Sequence, residues 1–177
     1  GALDHPEMAQ RFLAASLRNA ERLSKLIDDL LDLSHIESGR QNVELSTFPL
    51  AGVVSSTFDS LAAKAHRRSV ELVSQAGDAS VFADPRALEQ VLTNLVDNAV
   101  KYGREGGRVT VRSRIVDDHL RVEVVDDGPG IDEAHRARLF ERFYRVDPGR
   151  SRDMGGTGLG LAIVKHLAAA MGASVGM

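Results

Sequence analysis

Residues 94–102 read Asn94-Leu-Val-Asp-Asn98-Ala-Val-Lys101-Tyr102, and their spacing predicts a helix with one chemically distinctive face. Asn94 and Asn98 are four residues apart, so they share this face, and Lys101 and Tyr102 extend it by one turn. Amide oxygens are suitable ligands for Mg²⁺, and a lysine can pair with phosphate. The same pattern also fits an ordinary amphipathic helix whose polar face is solvated.

The segments on either side of this helix predict a mixture of helices and strands. Asp84-Pro85 is a typical helix start. Apolar and polar residues alternate over residues 109–115 and 120–126, and Asp117-Asp118 between them suits a hairpin turn. The other expected elements are short strands near 43–45, 70–73 and 81–83, a helix from Pro49 to about Arg67, a turn over 103–107, a helix over 159–171 and a strand beginning after it. This order predicts an α+β fold, a two-layer sandwich with helices on one face of the sheet.

The first forty residues predict one long helix, which begins near Asp4 and Pro6 and ends at about Ser38, before Gly39. Its apolar residues follow a four-then-three rhythm through Leu13, Leu17, Ala20, Ile27 and Leu31. Such a stripe requires a partner helix to cover it. No other segment of the sequence supplies a matching long helix, so we expect the partner to be upstream residues, a second copy, or both.

A second polar cluster follows the hairpin, at Val124-Val-Asp126-Asp127-Gly128-Pro129-Gly130-Ile131. Here a strand ends and the backbone turns through two glycines, which let a ligand approach the main chain closely. A carboxylate held at such a turn can accept a hydrogen bond from an exocyclic amine such as that of adenine. A plain turn is the alternative, because Asp-Gly and Pro-Gly are strong turn signals.

A third cluster, Gly155-Gly156-Thr157-Gly158-Leu159-Gly160-Leu161, directly precedes the last predicted helix. Glycines before a helix N-terminus can bind phosphate through exposed N–H groups and the positive end of the helix dipole. The cluster is not a P-loop, because no Lys-Ser/Thr pair follows it, and no βαβ strand leads into it. A flexible hinge is the alternative interpretation.

In this order and spacing, the clusters resemble those of the GHKL ATPase superfamily, and within it those of the sensor histidine kinases of two-component systems. The matching segments are 94–102, similar to the N box; 126–130, similar to the G1 box; 139–145 (Leu-Phe-Glu-Arg-Phe-Tyr-Arg), similar to the F box; and 156–160, similar to the G2 box. Residues 30–39 are similar to the second dimerisation helix and its exit. The resemblance implies the Bergerat ATP-binding fold, with residues 1–39 as the second helix of a dimerisation and histidine-phosphotransfer domain and residues 40–177 as the catalytic domain.

The resemblance also implies roles in binding ATP and Mg²⁺. Asn98 would hold Mg²⁺ against the triphosphate, with Asn94 beside it. Lys101 and Tyr102 would contact phosphate and groups on the adenine side, and Asp126 would accept a hydrogen bond from the adenine amino group. The other expected cofactor-binding residues are Gly128 and Gly130, which would admit the base; Gly156, Gly158 and Gly160, which would wrap the phosphates; and Ile131, Thr157, Leu159 and Leu161.

Residues 132–156 would form a mobile lid that closes over the nucleotide. The resemblance implies that Phe140 and Phe143 anchor this lid on apolar surface. Three lid cations could approach the γ-phosphate: Arg142, Arg145 and Arg152. For Arg152 we favour a solvated position instead. With Asn94, Asn98 and Lys101, the cations Arg142 and Arg145 make up the expected catalytic set.

Composition excludes several other classes of protein. The 177 residues carry a net charge of −3, which gives no reason to expect a nucleic acid as the main partner. No cysteine is present, so disulfides, thiolate metal sites and cysteine nucleophiles are excluded. No apolar run approaches the ~20 residues that span a bilayer. We therefore expect no membrane contact by these residues and a cytoplasmic domain, whose parent protein could be anchored in a bacterial inner membrane.

None of the six histidines has the acidic and proline context that marks the phosphoacceptor in this family. We therefore expect the acceptor helix, and the last strands of the catalytic domain, to lie outside this sequence. The implied reaction is transfer of the ATP γ-phosphoryl group to a histidine nitrogen, followed by relay to an aspartate of a response regulator. The expected assembly is a homodimer through the N-terminal helix and the acceptor helix.

Two alternatives share the same motifs. One is an enzyme of another class with this fold, either an ATP hydrolase or a serine kinase of the anti-sigma type. For hydrolysis Asp97 is the candidate general base, although it lies on a different helix face from Asn98. The other is a non-catalytic module for ATP binding or dimerisation, against which the complete set of Asn98, Asp126 and the glycines argues.

Overall fold

The protein is described here from a computed structural model over residues 6–38, 42–147 and 156–177. Its helices are α1 (Pro6–Glu37), α2 (Leu50–Arg67), α3 (Pro85–Tyr102), α4 (Glu133–Arg136) and α5 (Gly160–Ala170). Its strands are β1 (Ser46–Pro49), β2 (Glu71–Gln75), β3 (Ser80–Ala83), β4 (Arg108–Val116) and β5 (His119–Asp126).

The strands form two small sheets. In the three-stranded sheet the order is β2-β4-β5, with β2 parallel to β4 and β4 antiparallel to β5. Asp117 and Asp118 connect β4 to β5 with positive φ angles of 48° and 61°, as a tight hairpin turn requires. In the second sheet β1 pairs antiparallel with β3. The predicted hairpin is therefore confirmed.

Helices α2, α3 and α5 pack side by side, and α2 and α3 cover the three-stranded sheet. One core cluster lies between this sheet and the two helices, where the side chains of Leu92, Val96, Val109 and Val111 are almost completely buried. Because the helices cover one face of the sheet, the prediction of an α+β two-layer sandwich is confirmed. Helix α3 is the central element, since it contacts the sheet as well as both neighbouring helices.

The structure corrects two strand predictions. The strand expected around Val43 and Leu45 lies instead at Ser46–Pro49, where Phe48 is paired with Val81 of β3. Pairing with a strand more than thirty residues away fixes this position, and local alternation could not indicate it. The strand expected after α5 was also wrong, because residues 173–177 form neither helix nor strand.

Helix α1 has the predicted extent over the described residues, and Asp4 and Gly39 lie outside them. One side of its C-terminal third packs on the domain: Leu33 is buried against Ile163, Val164 and Leu167 of α5. Eight large apolar side chains along α1 stay exposed, namely Met8, Phe12, Leu13, Leu17, Leu23, Ile27, Leu30 and Leu31. In the described part of the chain, no helix is long and apolar enough to cross a membrane.

Candidate nucleotide-binding site

Both ends of α3 are capped by side chains. At the N-terminus, Asp84 accepts hydrogen bonds from the backbone N–H groups of Arg86 and Ala87, both at 2.9 Å, and from that of Glu44 at 2.8 Å. At the C-terminus, the guanidinium of Arg68 donates to the carbonyl oxygens of Val100, Lys101 and Gly103. These contacts hold Asn94 and Asn98, both half-buried, on a rigid helix.

The C-terminal end of α3 lies against the Asp-Gly loop. A Cβ atom added to Gly128 would lie 3.0 Å from the Cα of Gly103 and 2.5 Å from Oδ1 of Asp126. The same Oδ1 accepts a hydrogen bond from the N–H of Gly128 at 2.9 Å, which orients the exposed carboxylate. Gly130 has a φ of 72°, a left-handed conformation that favours glycine. Position 128 therefore requires glycine, because even a Cβ atom would be too close to Asp126 and Gly103 where the loop passes the helix.

The Gly-rich segment meets α3 further toward its N-terminus. A Cβ atom added to Gly160 would lie 3.0 Å from Oδ1 of Asn94, so the start of α5 and this amide are in direct contact. Nine helical residues separate Asn94 from Gly103, which corresponds to about 14 Å along the axis. The structure therefore brings the three predicted clusters together along α3, with the Asp-Gly loop at one end and the helix N-terminus of α5 at the other.

The segment resembling the F box packs on the Gly-rich segment. The N–H of Phe143 donates to the carbonyl oxygen of Gly158 at 2.8 Å, and Arg145 donates to that of Gly156. Phe143 adopts a φ of 61°, which is strained for a residue other than glycine, and Gly158 has a φ of 78°. The two segments therefore hold each other, and a Cβ on Gly158 would approach the Cα of Phe143 to 3.0 Å.

The structure differs from the expectation that Phe143 anchors the lid on apolar surface. Its side chain is 56% exposed, whereas Leu139 is buried and Phe140 is half-buried. Arg142 is exposed on the same segment, and Arg152 lies outside the described residues.

Lys101, which extends the predicted polar face by one turn, is buried. Its Nζ lies 2.6 Å from Oδ2 of Asp97, and the other carboxylate oxygen, Oδ1, pairs with Lys64 of α2. Burial would raise the pKa of the Asp97 carboxyl, but the ammonium groups of Lys101 and Lys64 together hold this pKa below its usual value. Burial lowers the pKa of Lys64, against the opposing effect of Asp97. Tyr102, the next and last residue of the helix, is half-buried.

Thr157 is tied to α1. Its Oγ1 donates a hydrogen bond to Oδ2 of Asp29 at 2.6 Å in a buried position, and accepts one from the N–H of Leu159 at 3.3 Å. Beside this contact, Gln90 of α3 donates to Asp32 of α1 at 2.6 Å. The Gly-rich segment is thus connected to the long helix as well as to α3.

The two leucines of the Gly-rich segment are buried to different degrees. The side chain of Leu159 is completely buried in the apolar cluster between α1, α3 and α5, so only its backbone can face a ligand. Leu161 is half-buried within the first turn of α5, and Ile131 is half-buried after the Asp-Gly loop. Apolar residues in a glycine-rich motif anchor the loop here, because the adjoining helix buries them in the core.

Three residues that contact the site were not predicted from the sequence: Asp29, Lys64 and Arg68. Lys64 and Arg68 are four residues apart at the end of α2, so they share one face, and both contact α3. Two cations at this spacing were a usable signal. Asp29 gave none, because its partner Thr157 is 128 residues away in the sequence.

Comparison with known proteins gives matches over both parts of the chain. The family model for histidine kinase-, DNA gyrase B- and HSP90-like ATPases matches residues 83–177, and that for the His Kinase A (phospho-acceptor) domain matches residues 2–39. The sensor histidine kinase CusS of Escherichia coli O6:H1 is 38% identical over 158 residues, which cover 89% of this chain. The chain spans only 33% of the length of CusS.

Two solved structures are similar in fold and sequence. Full-length ShkA in complex with AMPPNP is 32% identical with a TM-score of 0.78, covering 95% of this chain and 35% of that one. The mycobacterial sensor histidine kinase MprB is also 32% identical with a TM-score of 0.62, covering 73% of this chain and 81% of that one. Since the ATPase family model matches more than half of the chain, and MprB matches over most of its own length, the chain belongs to the histidine kinase-, DNA gyrase B- and HSP90-like ATPase family and, within it, to the sensor histidine kinases.

Proposed function

We propose that the chain binds Mg·ATP along α3 and is the catalytic part of a protein-histidine kinase. The observation that carries this proposal is the joining of two glycine-rich segments to one helix, about 14 Å apart along its axis. One end offers an exposed carboxylate beside a closely approaching backbone, and the other offers a helix N-terminus. These are suitable surroundings for a base and for phosphates, respectively.

At the base end, Asp126 would accept the hydrogen bond from the adenine amino group. The bond from the N–H of Gly128 to Oδ1 fixes the carboxylate in place before a ligand arrives. Gly128 and Gly130 keep the path to it open, because a side chain on Gly128 would meet Asp126 itself. Preorganisation of this kind lowers the cost of ordering the site on binding.

At the phosphate end, the N–H groups of residues 156–160 and the N-terminus of α5 would face the phosphates. Asn98 would provide the protein oxygen for Mg²⁺, and Asn94 lies one turn away beside Gly160. Among the described residues, no group of three or more His, Asp or Glu side chains could hold a metal ion. These residues suit a cation that is bound by one or two protein oxygens, by nucleotide phosphates and by water, as is usual for Mg²⁺ with ATP.

The reaction that we propose is attack of a neutral imidazole nitrogen on the γ-phosphorus. The N–P bond forms as the bond between the γ-phosphorus and the β,γ-bridging oxygen breaks, and ADP leaves. Mg²⁺ would neutralise charge on the phosphates, and this chain would position the nucleotide and add the cations Arg142 and Arg145 of the lid. The histidine would belong to an acceptor helix outside this sequence, and an aspartate of a response regulator would then receive the phosphoryl group.

We further propose that residues 1–39 are the second helix of a dimerisation and phosphotransfer domain and that residues 40–177 are the catalytic domain. The exposed apolar stripe of α1 supports this division, because eight large apolar side chains along the helix are exposed in a single chain. A homodimer formed through this stripe and an acceptor helix would cover them.

The alternative of an ATP hydrolase gains no support from the site. Its candidate base, Asp97, is paired with Lys64 and Lys101, and its pKa is held low against the effect of burial. A carboxylate stabilised in this way is a poor proton acceptor. No comparable observation favours a serine kinase or a non-catalytic module.

Calorimetric titration with Mg·ADP tests the nucleotide site. We expect binding by the unmodified chain and a tenfold to hundredfold loss in Asp126→Asn, since a hydrogen bond to a charged group contributes about 1.5–3 kcal/mol. Asn98→Ala should weaken binding of Mg·ADP while affecting metal-free ADP less. Equal affinity in the unmodified chain and Asp126→Asn would contradict the assignment of the base end.

Incubation with γ-labelled ATP tests the reaction. The isolated chain should remain unlabelled, whereas a protein carrying the acceptor helix should gain acid-labile phosphate in its presence. Label on the isolated chain in an acid-labile linkage would disprove the assignment of the acceptor. Sustained phosphate release without label on either protein would favour a hydrolase.

A further inference from the structure

One carboxylate in the centre of the molecule has two cationic partners. Asp97 of α3 binds Lys101 of the same helix through Oδ2 and Lys64 of α2 through Oδ1. All three side chains are at least partly buried, with side-chain exposures of 14% for Asp97, 9% for Lys101 and 31% for Lys64. The cluster thus contains one more positive charge than it needs to neutralise the carboxylate.

Helix geometry places Lys101 between Asp97 and the face of the expected nucleotide. Successive residues of a helix are rotated by about 100°, so Lys101 projects about 40° from the direction of Asp97 and about 60° from that of Asn98. A lysine side chain has four methylene groups and many rotamers, so its ammonium can reach groups on either side. In the present structure it is bound to Asp97.

We propose that Lys64 is a positioning residue, which neutralises Asp97 so that Lys101 can leave this carboxylate and bind the phosphates of the nucleotide. This inference rests on the proposed function. Lys64 would not touch the nucleotide, because it belongs to α2 and its ammonium is bound to Oδ1 of Asp97, the oxygen that Lys101 does not contact. Its effect on binding would pass entirely through Lys101.

The physical reason is the cost of leaving a buried charge without a partner. If Lys64 were removed, Lys101 would be the remaining cation at Asp97, and its departure would strand a carboxylate in a poorly hydrated place. Lys101 would then stay where it is. If Lys64 is present, Asp97 keeps a direct ion pair after Lys101 moves, so the exchange of partners carries a much smaller penalty.

Calorimetry with the magnesium complex of a non-hydrolysable ATP analogue tests the inference. Lys64→Met should weaken binding about tenfold, close to the loss in Lys101→Met, and the double variant should be no weaker than Lys101→Met alone. Lys64→Arg should keep most of the affinity. In Lys64→Met/Asp97→Asn the loss should be reversed, because a neutral amide no longer holds Lys101. Arg67→Met removes an exposed cation from the same turn of α2 and should leave the affinity unchanged.

The results separate the possible failures. Unchanged affinity in Lys64→Met, or an additive loss in the double variant, would overturn the role of Lys64 while leaving the nucleotide site intact. An equal loss in Arg67→Met would also overturn it, because the effect would then be one of overall charge. Absence of binding by the unmodified chain would overturn the proposed function and this inference together. Thermal unfolding of each variant would show whether a loss of affinity arises from misfolding. If Lys64→Met is misfolded, the affinity of Lys64→Met/Asp97→Asn decides: recovery supports the inference, and no recovery overturns it.

Discussion

At the scale of single residues, Gly128 has two functions: its backbone passes close to Gly103, and its N–H group orients the carboxylate of Asp126. A methyl group there would lie 2.5 Å from Oδ1 of Asp126, closer than real Cβ atoms come, and 3.0 Å from the Cα of Gly103, which is an unusually tight contact. We expect Gly128→Ala to displace the Asp126 carboxylate and to weaken Mg·ADP binding at least tenfold in calorimetry. Unchanged affinity would show that the loop can shift without cost.

Gly52 of α2 provides the matched control for this substitution. It lies in the first turn of α2, and an added Cβ there would meet nothing within 4 Å. Because alanine is favoured over glycine in helices, Gly52→Ala should raise the free energy of unfolding by about 0.5–1 kcal/mol and leave nucleotide affinity unchanged.

At the scale of the element, α3 depends on the cap at Asp84. The side chain accepts from three backbone N–H groups, two of α3 and that of Glu44. Burial alone would raise the pKa of this carboxyl, but the backbone hydrogen bonds together hold it below its usual value. We expect Asp84→Ala to lower the free energy of unfolding in urea by about 1–2 kcal/mol at pH 7.

The depressed pKa also gives this cap a pH dependence. A carboxyl whose pKa is lower in the folded state stabilises that state above its unfolded pKa, about 3.9 for Asp, and this contribution is lost as the pH falls through the folded pKa. Asp84→Asn keeps a capping side chain but cannot titrate. The difference in stability between the native chain and Asp84→Asn should therefore shrink as the pH falls below about 4. A constant difference down to pH 2 would contradict this account.

At the scale of the whole molecule, the docking of α1 on α5 depends on Leu33. This side chain is 3% exposed in the apolar cluster with Ile163, Val164 and Leu167. Replacement of a buried leucine by alanine costs about 2–5 kcal/mol, so Leu33→Ala should shift the molecule toward a state in which α1 is undocked. Leu31→Ala is the control, since Leu31 is on the same helix and is 53% exposed.

Spin labels measure this equilibrium directly. The native sequence contains no cysteine, so cysteines introduced at the exposed positions 18 and 165 would be the two attachment points. The distance distribution should be narrow in the native chain and in Leu31→Ala, and broad in Leu33→Ala. A narrow distribution in all three would show that the contacts of Asp29 and Asp32 hold the helix without Leu33.

Much of the candidate site followed from local signals. The start of α3 at Asp84-Pro85, the β4–β5 hairpin and the glycine turns were predicted because capping, alternation and turn chemistry act over a few residues. The partners of the charged side chains were not, because the sequence did not indicate that Lys64 and Lys101 share the carboxylate of Asp97. Which of two nearby groups a lysine binds depends on the position of α2, and this position is set by packing.

The sequence by itself determined the helices, the β4–β5 hairpin and the order of the nucleotide-binding motifs, since each is encoded in residues close together along the chain. The tertiary structure decided the pairing of β1 with β3, the shared carboxylate of Lys64 and Lys101, and the buried bond between Asp29 and Thr157. Each of these depends on the distance between elements that are remote in sequence. Burial enforces these pairings, because a polar group that is removed from water is destabilising unless the fold places a hydrogen-bond partner beside it.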